Sequence, residues 1–398
     1  MMWEKKSLGV IADVYNGNSI NADYKKKHFL GLAEGLPFIA TKDVLSNGEI
    51  DYENGVKVPL DAGLKIAPAD SVFVCAEGGS AGKKIAFVKE DVCFGNKLFC
   101  ILPKKKELYS AKYIYYFCRS ELFREQFFGE LTGLIGGVSA KKFRNIECPI
   151  PPLPEQERIV SLLDAEFAKI DAIKANAEKQ LQDAKALFQS ALKDYLTPKE
   201  GWEEKTLGEI AADSADGPFG SNLKAVHYTT KPQVRIVQLS NIGEYGWKDE
   251  NIKYTTFEHL KAISRSEVTP GDIVIAKMMP AGRAIICPNY EKKYVLSSDA
   301  IKIKLINGYN TKYILHYINS IFFNKQVLEN VSGSGRIRTS LTKLRSYKLY
   351  IPDFTTQTNI ANKVDYLLKI YLQLQSNFDT TVTLCNDLKQ SILKDIFG

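Results

Sequence analysis

The chain repeats itself once, at a spacing of about 200 residues. Trp3-Glu4-Lys5-Lys6-Ser7-Leu8-Gly9-Val10-Ile11-Ala12 returns as Trp202-Glu203-Glu204-Lys205-Thr206-Leu207-Gly208-Glu209-Ile210-Ala211, keeping seven of ten residues after a shift of 199. Further matches follow in the same order: Ala67-Pro68-Ala69-Asp70 with Thr269-Pro270-Gly271-Asp272, Ala81-Gly82-Lys83 with Ala281-Gly282-Arg283, and Lys112-Tyr113-Ile114 with Lys312-Tyr313-Ile314. Near the end of each copy, Lys142-Phe143-Arg144 answers to Lys343-Leu344-Arg345, Ile150-Pro151 to Ile351-Pro352 and Gln156 to Gln357. Solenoid and propeller repeats run nearer 20 to 50 residues, so a period this long means a duplicated domain.

The 398 residues, 45% of them hydrophobic, can fill two or three cores of ordinary size, and the duplication makes two similar ones the expectation. A net charge of +7 fits a polyanionic partner without requiring one. The opening residues lack the apolar stretch of a signal peptide, and no run approaches the 18 or more apolar residues needed to span a bilayer. A cytoplasmic protein with no membrane partner is expected. The seven cysteines, Cys75, Cys93, Cys100, Cys118, Cys148, Cys287 and Cys385, are scattered, with no C-x-x-C pair, and read as reduced, mostly buried thiols.

Within each copy, short apolar runs are broken by turn residues. Ser71–Cys75 and Lys84–Val88 flank Gly78-Gly79-Ser80-Ala81-Gly82, and Asp272–Ala276 and Arg283–Cys287 repeat the arrangement; both pairs read as hairpins. Ala111–Phe128 and Thr311–Val331 carry Tyr, Phe, Ile and Leu at helical spacing, adding at least one helix to each sheet. Each domain is therefore mixed α and β (α+β).

Copy one closes on Cys148-Pro149-Ile150-Pro151-Pro152-Leu153-Pro154, whose prolines are expected to exclude helix and central strand before Glu155. Apolar positions then recur every three or four residues from Ile159 through Leu163, Phe167, Ile170, Ile173, Ala177, Leu181, Ala184, Phe188, Ala191 and Tyr195. That is one face over roughly 40 residues, about 60 Å of helix. After Pro352, Ile360, Val364, Leu367, Tyr371, Leu374, Phe378, Val382, Leu388 and Ile392 keep the same rhythm. Each stripe needs a cover. The other stripe is the nearest available, and packing of each on its own domain is the alternative.

No catalytic constellation is legible. Glu77-Gly78-Gly79-Ser80-Ala81-Gly82-Lys83-Lys84 has the wrong first and last residues for a nucleotide-binding loop. Gly333-Ser334-Gly335 has Arg338 where a dinucleotide fingerprint needs its third glycine. No carboxylate cluster of the nuclease kind is evident, and His28, His227, His259 and His316 lie far apart in sequence with no repeat partner. No catalytic residue, metal or cofactor is expected.

What does recur is a basic, glycine-bearing segment late in each copy: Gly133 to Arg144, with Gly136, Gly137, Ser139, Lys141, Lys142 and Arg144, and Gly333 to Arg345, with Gly333, Gly335, Arg336, Arg338, Thr339, Lys343 and Arg345. Glycine permits close backbone approach, while Lys, Arg, Ser and Thr can meet phosphates and base edges. A solvated turn leading into a capped helix fits the same residues. Lys83, Lys84, Asn96 and Lys97 in copy one, and Asn222, Lys224, Lys277 and Arg283 in copy two, are further candidates for contact with DNA.

Pro149-Ile150-Pro151-Pro152-Leu153-Pro154-Glu155-Gln156-Glu157-Arg158-Ile159-Val160 resembles the proline stretch followed by Glu-Gln and Ile that opens the long helix of specificity (S) subunits of type I restriction-modification systems. The openings at Trp3 and Trp202 are similar to that family's domain openings, and the order of domain, helix, domain, helix covers essentially the whole chain. Copy two departs at Ile351-Pro352-Asp353-Phe354-Thr355-Thr356-Gln357, which keeps only the first proline and the glutamine.

The resemblance implies two target-recognition domains, residues 1–152 and 199–353, and two spacer helices, residues 153–198 and 354–398, forming an antiparallel coiled coil that acts as a ruler. Each domain would read one half of a split double-stranded DNA target. Residues 13–66 and 212–268 show little mutual match, so the two halves are expected to differ. The subunit would catalyse nothing. One copy per complex would bind two methyltransferase (modification) subunits and, with them, restriction subunits that cleave after ATP-driven translocation. Glu155, Gln156, Ile159, Leu163, Phe167, Gln357, Ile360 and Val364 would carry the docking of the methyltransferases. The same features fit the specificity module of a fused restriction-methylation system, and the modest charge leaves a coiled-coil scaffold that binds protein as a rival.

Overall fold

The computed structural model describes residues 3–131, 136–278, 280–329 and 338–398. The chain forms two compact units, Met1–Ala177 with Asp379–Gly398, and Glu178–Phe378.

In the first unit, β1 (Lys5–Ser7), the single turn α1 (Leu8–Ile11) and β2 (Ala12–Asn16) precede α2 (Ala22–His28). Strands β3 (Leu36–Ile39), β4 (Lys57–Val58), β5 (Ile66–Ala67), β6 (Ser71–Cys75), β7 (Ile85–Val88), β8 (Val92–Phe94) and β9 (Leu98–Pro103) follow. Then come α3 (Ala111–Cys118), α4 (Glu121–Gly129), α5 (Ala140–Arg144), β10 (Glu147–Pro149) and the first part of the long helix α6 (Leu153–Leu196). One antiparallel sheet has the order β2-β9-β6-β7, and a second has the order β4-β3-β8-β5, with β3 and β8 parallel. The expected hairpin is present as β6 against β7, Val74 opposite Ile85.

Strand β6 lies between two layers, and its side chains alternate accordingly. Val72 and Val74 join the core beneath the helices, while Phe73 and Cys75 join the core between the sheets. The expected helix at 111–128 is two helices. Ser120 interrupts it and caps the second, its hydroxyl accepting from the Phe123 N–H at 3.3 Å.

The second unit repeats this plan. Strands β11 (Glu203–Thr206), β12 (Ala211–Asp216), β13 (Tyr228–Thr229), β14 (Val234–Val237) and β15 (Tyr254–Thr255) lead to α7 (Phe257–Ala262). Strands β16 (Glu267–Val268), β17 (Ile273–Ala276), β18 (Ala284–Ile286), β19 (Tyr294–Leu296) and β20 (Ala300–Leu305) are followed by α8 (Thr311–Ile318), α9 (Ile321–Glu329), α10 (Leu341–Ser346), β21 (Lys348–Ile351) and α11 (Phe354–Phe397). The sheets run β12-β20-β17-β18 and β13-β15-β14-β19-β16. Strand β17 is two-faced like β6: Ile273 and Ile275 belong to one core, Val274 and Ala276 to the other.

The repeated opening motif closes each domain on itself. Strand β1 pairs with β10 and β11 with β21, and the Leu8 N–H donates to the Ile146 carbonyl at 2.8 Å as the Leu207 N–H does to Tyr347 at 2.9 Å. Gly9 lies under Arg144, where an added Cβ would come within 2.9 Å of the Arg144 Cβ, and Gly208 lies as close to Arg345.

Helix α6 opens at Leu153, earlier than the prolines suggest, and takes in Pro154. The first turn of a helix has no use for the missing N–H, so proline is tolerated there. Gln156, with no solvent exposure, ties the helix down: its amide accepts from the Ser110 N–H and donates to the Leu108 and Pro151 carbonyls at 2.8–2.9 Å. Gln357 does the same from α11, accepting from the Asn310 N–H and donating to Pro352.

The apolar stripes are divided in their service. Ile159, Leu163, Phe167 and Ile170 pack into the first domain's helical core beside Cys385, Leu393 and Phe397 of α11. Phe188 and Leu196 pack into the second domain's core with Ile360, Ala361 and Val364. Within the first unit Ile170 meets Cys385 and Asp171 meets Lys389, and within the second Phe188 stacks on Tyr371 and Tyr195 lies beside Lys363, so in each unit the helices run antiparallel. Two stripe positions are corrected by the structure: Ile173 and Leu388 are exposed, at 53% and 50%. With 3.6 residues per turn, the buried face runs through Ile170, already in the stripe, and through Cys385, which the stripe omitted.

Candidate nucleic-acid interface

In the second unit the ends of several elements converge on one cleft of about 1030 Å³. Asp216 ends β12, Arg265 follows α7, Lys277 follows β17, Asp299 precedes β20, and Arg338 to Lys343 lead into α10. The Lys277 ammonium lies 2.5 Å from the Asp216 carboxylate and 3.2 Å from the Ser298 carbonyl that accepts from it. The Arg338 guanidinium donates to the Asp299 carboxylate at 2.8 Å. Backbone bonds bind these pairs into one frame, the Lys277 N–H donating to Asp299 and the Thr339 N–H to Lys277, both at 2.9 Å. Two acids pair with two of the bases, and Arg265 and Lys343 bring further positive charge to the same walls. Such a lining suits a polyanion with exposed polar edges.

Of the sequence candidates in copy two, Asn222, Lys277, Arg338, Thr339 and Lys343 line this cleft. Gly333, Gly335 and Arg336 lie outside the described residues. Three candidates sit away from it. The Lys224 N–H is taken by His227 Nδ1 at 3.0 Å, Arg283 stands in the β17–β18 turn, and Arg345 donates to the Ser214 hydroxyl at 2.9 Å, above Gly208.

In the first unit, Lys97, Gly136 and Gly137 gather around the turn after β6: Lys97 pairs with Glu77 at 3.2 Å, the Gly78 N–H donates to Gly136, and Gly137 bridges to Glu77. Ser139 caps α5 through the Lys142 N–H, Lys142 pairs with Glu130 at 2.8 Å, and Lys141 is exposed on the same short helix. Lys83 reaches the Gly79 carbonyl at 3.3 Å, and Asn96 is exposed beside Lys97. Lys84 and Arg144 prove to be framework residues, donating to the carbonyls of Thr41 and Val14 at 2.9 and 2.7 Å.

The two copies differ at the decisive positions. The bridge of Met278 with Arg338 corresponds to that of Glu77 with Gly137, and the Thr339 to Lys277 bond to that of Val138 with Ala76. Where the second copy has Lys277 and Arg338, the first has Ala76 and Gly137. Sequence reading missed Asp216, Phe219, Arg265 and Asp299, since none has a repeat counterpart or a periodic place.

Most of the residues expected to dock a methyltransferase are buried. Gln156, Ile159, Leu163, Phe167, Gln357, Ile360 and Val364 are all buried against their own units, because a helix stripe beside an apolar sheet is covered there first. Glu155 is at the surface, where the hydrogen-bonded Arg158 guanidinium at 2.7 Å holds its carboxyl below the usual range. The histidines are not all apart: the His227 and His259 rings stack with centroids 4.1 Å apart, and His259 bonds the Asn222 carbonyl. All seven cysteines are buried and unpaired, and burial pushes the Cys287 thiol up to about 12. Among the described residues no helix is long and apolar enough to cross a membrane.

The frame of two similar mixed domains, each closed by a long helix and unequal at one basic cleft, defines a duplicated recognition protein. The family of type I restriction modification DNA specificity domains matches the chain twice, over residues 2–183 and 199–383, and the chain belongs to it. The StySPI specificity subunit of Salmonella potsdam is 24% identical over 99% of this chain and 88% of its own length. The EcoKI specificity subunit of Escherichia coli strain K12 is 24% identical over 94% of this chain and 84% of its own. A solved chain from a study of complex assembly and conformational transition of the type I R-M system superposes with a TM-score of 0.77 at 17% identity, covering 100% of this chain and 97% of that one. The HsdS subunit of Thermoanaerobacter tengcongensis gives 0.55 at 17% identity, covering 99% and 96%.

Proposed function

We propose that the chain is the non-catalytic, sequence-reading subunit of a type I restriction-modification complex. Each domain reads one half of a bipartite, asymmetric double-stranded DNA target. The observation that carries this reading is the cleft of the second unit, where Lys277, Arg338, Asn222 and Lys343 meet on one wall system while the first copy has Ala76 and Gly137 at the places of Lys277 and Arg338. Unequal surfaces on equal frames suit two different half-sites.

The exposed faces of α6 and α11, with Ile173 and Leu187 on one and Tyr366, Leu384 and Leu388 on the other, hold two methyltransferase subunits, and restriction subunits join that assembly in the cytoplasm. One copy of this chain serves each complex. No cofactor is needed by the chain itself, and adenine methylation and ATP-dependent cleavage belong to its partners.

The test is co-expression with the adjacent methyltransferase gene, followed by mapping of methylated adenines across the genome. A two-part, asymmetric motif present only with this chain establishes the reading. A stable complex without methylation, and with DNA binding indifferent to salt, overturns it in favour of a scaffold.

A further inference from the structure

We propose that Phe219 is a stacking wedge of the second domain, inserting its ring against a base step in the half-site that this domain reads. The inference rests on the DNA-reading proposal above and assigns one side chain within it a specific contact.

Phe219 is 84% exposed at the edge of the cleft, within Gly217-Pro218-Phe219-Gly220. Singly exposed apolar residues are ordinary. What distinguishes this one is how firmly it is presented. The Gly217 N–H donates to the Ala300 carbonyl at 2.9 Å, and a Cβ at Gly217 would stand 1.7 Å from the Ser297 carbonyl oxygen, so the loop is pressed against the strand end with room only for glycine. Pro218 fixes the next φ. The Phe219 carbonyl then accepts from the Asn222 N–H at 2.7 Å, closing the turn. A large apolar ring is thereby held in water at a set position, with little of its area used for packing.

Its neighbours in the cleft are Arg265, Lys277, Arg338 and Lys343. Cations meet phosphates, and an apolar ring among them meets what lies between phosphates, the faces of the bases. Apolar wedges that part a base step and aromatic platforms that stack on bases both use this combination of ring and positive groove.

The first domain supplies an internal contrast. Gly17 occupies the same place as Gly217, with a Cβ there 2.0 Å from the Phe94 carbonyl oxygen, and Asn18 donates its N–H to that carbonyl at 2.9 Å. The residues that follow are Asn18 and Ser19, so Ser19 stands where the second copy has Phe219. The wedge belongs to one half-site.

The full chain, co-purified with its methyltransferase partner, is offered a library of duplexes carrying 40 random base pairs, and bound sequences are selected and read. The selected duplex is then titrated with wild type, Phe219→Ala and Phe219→Trp. Phe219→Ala is expected to bind about tenfold or more weakly, the loss of one base–aromatic stack. Its salt slope stays unchanged because no charge is removed. Phe219→Trp retains affinity, and selection repeated with Phe219→Ala loses definition only in the half-site of the second domain. With 2-aminopurine placed through that half-site, wild type raises the fluorescence at one step and Phe219→Ala does not. Equal affinity, motif and fluorescence for wild type and Phe219→Ala overturn the wedge while leaving DNA reading intact. A wild type that selects no motif overturns the functional reading and the wedge with it.

Discussion

His316 and Asp365 face each other between α8 and α11, Nε2 to Oδ1 at 2.7 Å, and in the first unit Tyr116 and Asp164 occupy the equivalent places. Lys312 and Lys112 complete the two clusters, each 2.6 Å from its aspartate. A helix of the globular domain is thus fastened to the long helix by one carboxylate in each copy, with the aromatic donor changed from phenol to imidazole.

The His316 hydrogen bond, followed by Lys312, holds the Asp365 carboxyl down to about 2 against an ordinary 3.8, outweighing the burial that opposes ionisation. A carboxyl depressed in the folded state stabilises fully above its unfolded value and loses that contribution as pH falls through the folded one. Asp365→Asn is expected to cost about 1–3 kcal/mol at pH 7. Urea unfolding should show that gap constant down to about pH 5 and shrinking between about 4 and 2. His316→Tyr, which installs the first copy's residue, should keep most of the stability.

Gln156→Leu tests the anchor of α6. The substitution strands the Pro151 carbonyl in a buried site and unpairs the partly buried Ser110 N–H and Leu108 carbonyl. A loss of about 3 kcal/mol in unfolding free energy is expected, since each unsatisfied buried group costs about 1–3. A change below about 0.5 kcal/mol would mean water replaces the amide.

Gly217→Ala leaves a methyl carbon 1.7 Å from a backbone oxygen that no side-chain movement can relieve. Destabilisation of at least about 3 kcal/mol is expected, at the upper end for overpacking. Gly220→Ala, in open space three residues on, is the control, and thermal denaturation of the two should separate them clearly.

Arg338→Ala should weaken DNA binding by about 1–3 kcal/mol if its guanidinium reaches a base, as should Arg336→Ala. Lys343→Ala should instead lower affinity across all sequences and reduce the salt slope by about 1. Unaltered affinity with both arginines replaced removes that segment from the interface.

Exchanging residues 1–152 for the same region of a relative should change one half of the methylated motif and leave the other. A motif altered in both halves, or in neither, would show that the domains do not read independently.

Much of the frame was legible in the chain because its causes are local or repeated. The Gly78–Gly82 turn between two apolar runs gave the β6–β7 hairpin, and the step of three to four from Ile159 gave a helix that ends within a residue of Tyr195. The prolines misled by only two residues, since the first helical turn accepts what the helix interior rejects. The stripe itself was harder to read. Its rhythm reveals a buried face but not what buries it, and Ile159 to Ile170 are covered by their own domain's aromatic core.

The sequence alone determined the duplication, the mixed α and β content, the two 44-residue helices and the family, because a repeat of Trp-Glu, a proline stop and a helical period are each written in neighbouring residues. Only the tertiary structure decided which basic residues share a cleft. Asn222, Arg265, Lys277 and Arg338 come from separate elements of one domain, and sheet register and backbone bonds bring them to one cleft, while Arg144 and Arg345 bond to Val14 of β2 and Ser214 of β12 instead. Side-chain convergence across such distances depends on strand order and pairing, which no local pattern in the chain records.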